Sequence, residues 1–296
     1  MKKHSFKEWL IAVRPWSFPA SAMPVMVTLA YLFRTYHGHI DWVNGILALV
    51  GVIFFHAAGN TWSDYFDYKK GVDREDTFGV KTLTSGQFQP REIFRLSFIM
   101  LIPGIAIGIW LMYRAGWPLL WIGLGGVGCS LCYPWLKYRT GGDFVIFINY
   151  GVLTTLGTSF IARSAYLPEV LLIAVPVGLI TVAILHANNT RDVLTDQRAG
   201  ITTIAMRAGV KTNVFLYLFE IFFPFLWLIG CTLLGYIPAW TVVALLVLAV
   251  PMAVNNAADM LKLPREGVSA IANLDEKTAK LQLVFSLLFT LTLFIP

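Results

Sequence analysis

Two groups of oxygen-rich side chains stand where long apolar runs meet charged loops: Asn60, Asp64 and Asp67, then Asn188, Asp192 and Asp196. On an α-helix, at about 100° per residue, His56, Asn60, Asp64 and Asp67 fall within a sector of about 80°, and so do Asn188, Asp192 and Asp196. Each group therefore presents its oxygens on one face. Hard divalent cations take oxygen ligands, and Mg²⁺ is held by one or two carboxylates together with substrate phosphates. Two such faces opposed to one another would hold Mg²⁺ ions that bridge a diphosphate. Asp64, Asp67, Asp192 and Asp196 are accordingly the candidate catalytic residues, and with Asn60 and Asn188 the candidate metal ligands. Cations able to complete the cage follow at Lys69, Lys70, Arg74 and Lys81, at Arg191 and Arg198, and at Lys137 and Arg139. Helix capping by Asn and Asp would account for one cluster alone. Two clusters of similar spacing, in a chain with only 17 acidic residues, point to a site instead.

The elements that must position these residues are membrane helices. The chain is 57% hydrophobic with 14% charged residues and a mean hydropathy of +0.66, far from the soluble norm of about 25% charged. Windows of roughly 20 apolar residues predict nine spans, at about 16–33, 42–62, 93–113, 117–136, 144–162, 167–187, 212–235, 238–256 and 278–295. The expected fold is an all-α, polytopic membrane bundle forming a single domain over 1–296. The two clusters suggest related halves, about 14–140 and 141–296. Of the 23 Lys and Arg, 20 fall on the side of the N-terminus and both clusters, against Arg34, Arg114 and Arg163 on the other. The basic face should be cytoplasmic, in the cell (inner) membrane, and the net charge of +6 reflects topology and attraction to anionic membrane lipid or an anionic substrate, with no nucleic acid needed. Residues 1–13, basic and amphipathic, read as a retained interfacial segment.

Other residues carry weaker signals. Cys129 and Cys132 lie inside an apolar run, where a CxxC pair reads as two small helical residues. His56 shares the face of the first cluster, although a lone membrane histidine is commonly hydrogen-bonded to a neighbour. Glu220 stands alone among apolar residues and calls for a partner or an interfacial position. Pro19, Pro24, Pro103, Pro176, Pro224 and Pro251 read as helix kinks, with a broken span most conceivable in the first, where Pro15, Pro19 and Pro24 crowd together.

The chain resembles the UbiA family of intramembrane prenyltransferases. The resemblance rests on RPWSF (14–18), GNTWSDYFDYKKGVD (59–73), GGDFVIFINYGVLTTLGT (141–158), ILHANNTRDVLTDQRAGITTIA (184–205) and KTAKLQL (277–283), and covers nearly the whole length. It implies a nine-helix bundle with Asp-rich motifs after helices two and six, binding Mg²⁺ and the diphosphate of a polyprenyl diphosphate. Within the family the 1,4-dihydroxy-2-naphthoate branch looks closest, implying transfer of the polyprenyl group to that aromatic acceptor with decarboxylation to give demethylmenaquinone. By the same resemblance Lys70, Lys81, Arg139 and Arg191 would contact diphosphate, and Arg14, Tyr133, Asn149 and Thr158 would contact substrate. One departure matters: many members carry a third acid four residues after the position of Asp67, where this chain has Gly71. The next acid is Asp73, taken as the third carboxylate. Ser63 replaces the usual Asn before Asp64.

The chemistry asks for the same parts. Diphosphate leaves only when its charge is neutralised, and an apolar cavity must shield the allylic cation from water. Electron-rich rings would stabilise that cation, with Tyr133, Tyr150, Tyr65 and Trp62 as candidates. Other acceptors in the family, such as 4-hydroxybenzoate, homogentisate or a prenylated glycerol phosphate, fit the same motifs. A secondary transporter with discontinuous helices would place its site near the bilayer midplane, whereas these carboxylates lie at helix ends.

Overall fold

In a bilayer every backbone N–H and C=O must be satisfied within its own segment, so apolar runs of this length become helices. The computed structural model, which describes residues 4–75, 77 and 81–295, is helical throughout with no named strand among the described residues. In chain order the helices are α1 (Phe6–Ala12), α2 (Pro19–Thr35), α3 (Trp42–Lys70), α4 (Pro90–Ala115), α5 (Pro118–Lys137), α6 (Gly142–Ile146), α7 (Thr154–Arg163), α8 (Leu171–Arg191), α9 (Val193–Arg198), α10 (Ile204–Leu233), α11 (Ala239–Leu248), α12 (Val250–Glu266) and α13 (Leu274–Leu293). By length and composition seven described segments are able to cross a membrane, or eight when α11 and the stretch after it, bent by 45°, count as one span. The ninth expected span corresponds to α13, whose opening turns carry Asp275, Glu276, Lys277 and Lys280.

Local chemistry sets the ends. Asp41 caps α3, its carboxylate accepting from the backbone N–H of Asn44 at 2.9 Å, and Gly71 closes it in a left-handed conformation, φ 74°, which glycine adopts without a Cβ penalty. Pro90 opens α4 in the first turn, where its missing N–H costs nothing. The intrahelical prolines Pro24, Pro103, Pro176 and Pro224 lie within helices that continue past them, whereas the break falls beside Pro251, between α11 and α12.

Three differences from the sequence expectation bear on the site. Helix α3 does not stop near 62 but runs to Lys70, so Asp64 and Asp67 stand on rigid helix instead of on a loop. The second cluster is not on one helix: α8 ends at Arg191, Asp192 sits at the junction, and Asp196 belongs to the short α9. The fifth predicted span is three segments, α6, a π-helical stretch Phe147–Leu153, and α7. Such wide turns commonly mark functional positions.

The core is built by α2, α8, α10 and α13, where Tyr31, Tyr217, Phe285 and Phe289 are fully buried. Helix α8 lies close against the π-helical stretch: a Cβ on Gly151 would stand 3.2 Å from both the Ala174 carbonyl oxygen and the Gly178 Cα, so only small residues permit this approach. Trp110, Tyr113, Trp117 and Trp121 are exposed around the α4–α5 connection, as expected of an interfacial aromatic belt. At the opposite end, the carboxyl ends of α3, α5 and α8 come together. Thr140 donates to the Thr202 carbonyl at 2.9 Å and Thr202 to the Tyr138 carbonyl at 3.1 Å, tying the loop after α5 to the loop after α9.

Candidate active site

On α3, Asp64 and Asp67 are 3% and 7% exposed, and each carboxylate is held by a cation from another segment. Arg14, in a left-handed conformation between α1 and α2, donates to Asp64 Oδ1. The other oxygen, Asp64 Oδ2, is buried and has no donor. Asp67 accepts from the Tyr138 hydroxyl at 2.7 Å and from Lys137 Nζ at 3.3 Å. One turn before Asp64, the Asn60 amide nitrogen donates to the Val13 carbonyl at 3.0 Å and to Ser17 Oγ at 2.9 Å. Asp73 joins this group. Burial, and then the Asp67 carboxylate, holds its carboxyl above the usual range, while Lys137, Arg14 and Lys81 act in the opposite sense.

The second cluster meets the first across Lys137. Burial raises the Asp196 carboxyl to about 6, Lys137 lowers it, and Asp192, Asp67 and Asp73 raise it further. Carboxylates from α3, the loop after it and α9 thus feel one another around a single lysine. Burial together with the Asp67 carboxylate pushes the Tyr138 hydroxyl up, which keeps it a donor. Asp192 lies to one side, clamped by Arg191 through two hydrogen bonds of 2.8 and 2.9 Å. Arg191 also reaches Asp275 Oδ2 at 2.6 Å and the Ala272 carbonyl at 3.3 Å, and Asn188 donates to the same Asp275 oxygen at 3.4 Å. This surplus of acceptor oxygens, with Asp64 Oδ2 orphaned among them, suits divalent cations and supplies the donor set that hard cations take.

Not every expected contact is made. Lys81 turns onto the carbonyls of Arg74 and Glu75 at 2.9 and 2.8 Å and onto that of Thr77, organising its own loop. Lys70 and Arg139 line a separate pocket with Lys69, Phe66, Trp135 and Tyr138, on the far side of the tyrosine that holds Asp67. The cation that does reach the carboxylates from the third loop is Lys137. Trp62 and Tyr65 pack into an aromatic cluster with Phe66 and Phe94, with Lys69 4.8 Å over the Tyr65 ring; they brace α3 on α4. Tyr133 lies one turn before Lys137 on α5.

Beneath the carboxylates is a largely apolar cavity of about 380 Å³ bounded by α2, α3, α4, α5, the π-helical stretch and α7. Its polar groups are Ser21, His56, Ser130, Asn149, Tyr150, Thr154 and Thr158; of the expected substrate contacts Asn149 and Thr158 line it and Tyr133 does not. His56 touches Ser21 Oγ at 2.9 Å and Ser17 Oγ at 3.3 Å, and its ring centroid is 5.3 Å from that of Tyr150. Asn149 donates to Ser130 Oγ at 3.3 Å, and Thr158 and Thr154 return their hydroxyls to helix carbonyls at 2.7 and 2.8 Å.

A buried cluster of carboxylates and cations thus shares α3 with residues that line an apolar cavity. The family model of the UbiA prenyltransferase family matches residues 23–263. The chain belongs to the UbiA prenyltransferase family. It is a multi-pass membrane prenyltransferase. The UbiA prenyltransferase domain-containing protein 1 of Homo sapiens is 32% identical over 95% of this chain and 81% of its own length, and that of Xenopus tropicalis is 33% identical over 76% and 68%. Among solved structures, a digeranylgeranylglyceryl phosphate synthase superposes with a TM-score of 0.65 at 18% identity, covering 97% of this chain and 98% of its own. A UbiA homologue of Archaeoglobus fulgidus bound to GPP and Mg²⁺ superposes with a TM-score of 0.64 at 13% identity, covering 94% and 99%. At these identities the structures establish the shared fold.

Sequence reasoning missed Tyr138 and Asp275. Nothing in their local sequence marks them, because each acts on a partner 71 and 84 residues away.

Proposed function

We propose that this prenyltransferase transfers a polyprenyl group from polyprenyl diphosphate to 1,4-dihydroxy-2-naphthoate, forming the carbon–carbon bond at the ring carbon from which the carboxylate leaves as CO2. The observation that carries the prenyl half is the gathering of Asp67, Asp73 and Asp196 around Lys137, on the same helix, α3, whose preceding turns at Phe55 and His56 line the apolar cavity. The acceptor rests on the sequence resemblance set out above and is supported by a polar cavity wall at His56, Asn149 and Tyr150. Asp64, Asp67, Asp73, Asp192 and Asp196, with the amide oxygens of Asn60 and Asn188, would hold Mg²⁺. When bound, the metal supplies positive charge to the departing diphosphate.

The chain's own residues do the rest. Lys137 adds a fixed cation where leaving-group charge develops, and Tyr138 and Arg14 hold the Asp67 and Asp64 carboxylates in place before substrate arrives. The cavity takes the hydrocarbon chain and excludes water that would capture an allylic cation. Tyr150 and His56 line that cavity, and their rings would stabilise such a cation. A ring with two hydroxyls and a carboxylate needs a few polar groups set into an apolar wall, and the π-helical stretch provides them. The 20 to 3 distribution of Lys and Arg supports a site facing the cytoplasm from the cytoplasmic membrane.

The test is a panel of acceptors and prenyl diphosphates incubated with purified protein and Mg²⁺. Product and CO2 are expected from 1,4-dihydroxy-2-naphthoate. Product from 4-hydroxybenzoate, homogentisate or a prenylated glycerol phosphate alone would overturn the acceptor. Asp64→Asn or Asp192→Asn should each lower turnover by about a hundredfold or more in protein that remains folded in detergent. Near-normal turnover in either would remove that aspartate from the mechanism.

A further inference from the structure

A second constellation of ligating side chains lies deeper in the bundle, and the reaction does not use it. Asp143 on α6, His186 on α8 and Glu220 on α10 each offer a donor atom, and these atoms lie within 4.8 Å of one another. All three are buried, His186 completely. His186 Nδ1 is 2.9 Å from Glu220 Oε1, and the Asn189 amide nitrogen donates to Asp143 Oδ1 at 3.2 Å. On α8 the spacing of three places Asn189 on the face of His186, while Asn188 lies about 200° around the helix. The cluster is therefore backed against the helix that carries the second aspartate motif, facing away from it.

Two features make an ion pair alone an incomplete description. With His186 protonated the two carboxylates still leave one negative charge unbalanced, in a region where one unpaired charge costs several kcal/mol; a dication with a neutral imidazole balances both carboxylates. In addition, Glu220 Oε2 and Asn189 Oδ1 are buried without a hydrogen-bond partner, unsatisfied groups of a kind that native interiors avoid. The first belongs to the cluster and the second flanks it on α8, while the Asn213 side chain, on α10, is a hydrogen-bonding neighbour of His186. Amide oxygens are ready further ligands. The imidazole selects against Mg²⁺ and Ca²⁺, which take oxygen, and for a first-row transition-metal dication.

We propose that Asp143, His186 and Glu220 form a second, structural metal site for a first-row transition-metal dication such as Zn²⁺, distinct from the aspartate clusters and clamping α6, α8 and α10 together. The site fixes the segment leading to Asn188 and Asp192 by cross-linking the helices behind it, as structural metals do.

Full-length protein in detergent, stripped with chelator, is reloaded with Zn²⁺ in the presence of excess Mg²⁺, desalted and assayed for metal. One equivalent of zinc per chain is expected in the wild type and in the Asp64→Asn/Asp192→Asn double variant, and none in His186→Gln or Glu220→Gln. Because those core variants can fail to fold, the wild type loaded with Co²⁺ gives an independent readout: visible d–d bands that excess Zn²⁺ abolishes and excess Mg²⁺ leaves intact. No retained zinc and no cobalt bands in the wild type, zinc retained in folded His186→Gln, or zinc lost in the aspartate double variant would each overturn the site.

Discussion

Filling the deep end of the cavity should change which prenyl diphosphates the enzyme accepts without touching the chemistry. Gly108 lines the cavity from α4, and a Cβ built there meets nothing within 4 Å. Helix α4 begins at the carboxylate end of the bundle, so Gly108 lies roughly 27 Å along it at 1.5 Å per residue, remote from Asp64 and Asp67. In Gly108→Leu the four added carbons occupy the room of most of one five-carbon isoprenyl unit. At about 0.8 kcal/mol per buried CH2, a chain that fills the cavity loses about 3 kcal/mol, or roughly a hundredfold in kcat/KM. A chain short of Gly108 loses nothing. Replacing glycine within a helix favours folding by up to about 1 kcal/mol, so instability does not compete as an explanation. The assay is kcat/KM across dimethylallyl, geranyl, farnesyl and geranylgeranyl diphosphates at saturating acceptor, with Gly108→Ala as the graded control. Loss growing with chain length is expected. Equal loss for the shortest and longest donors, or no loss for the longest, would refute the placement of the chain in this cavity.

Three further outcomes follow from the site. Asn149→Leu should raise KM for the aromatic acceptor and leave that for the diphosphate nearly unchanged; equal weakening of both, measured by steady-state kinetics, would make the π-helical stretch scaffold only. Tyr138→Phe deletes the 2.7 Å bond to Asp67 at nearly constant volume, and since a hydrogen bond to a charged group is worth about 1.5–3 kcal/mol, kcat/KM for the diphosphate should fall tenfold to a hundredfold, roughly; an unchanged value would leave the orientation of Asp67 to Lys137 alone. Burial raises the Asp196 carboxyl to about 6 from 3.8, so the folded, metal-free state binds that proton more tightly than the unfolded chain and loses stability as pH rises from about 4 through about 6. Mg²⁺ must displace the same proton, so its apparent affinity, read from activity against Mg²⁺ concentration, should weaken as pH falls through about 6 and stay level above it.

The candidate site residues were legible because their cost is local. An acidic side chain beside an apolar run is expensive wherever the chain goes, so Asp64, Asp67, Asp192 and Asp196 stand out before any fold is known, and hydropathy makes the all-helical membrane bundle unavoidable. Helical periodicity also placed His56 and Asn60 on the face of Asp64. It failed at Asp192, where α8 ends and Arg191 reaches Asp275 on α13, a contact across the bundle that periodicity does not register. The same holds for the cations. Sequence offered Lys70, Lys81, Arg139 and Lys137 alike, and only packing decided that Lys137 reaches Asp67 while Lys81 serves its loop and Lys70 and Arg139 line another pocket.

What the sequence determined by itself is everything set by transfer from water to lipid: helices, their approximate number, the basic face and the unusual acids. What only the tertiary structure decided is which polar groups meet. Burial makes each polar atom's energy depend on its neighbours within a few ångströms, and those neighbours come from segments far apart in the chain. Tyr138 and Asp275 entered the site on that account, and Glu220, which the sequence marked as an acid in need of a partner, found His186 and Asp143 from two other segments.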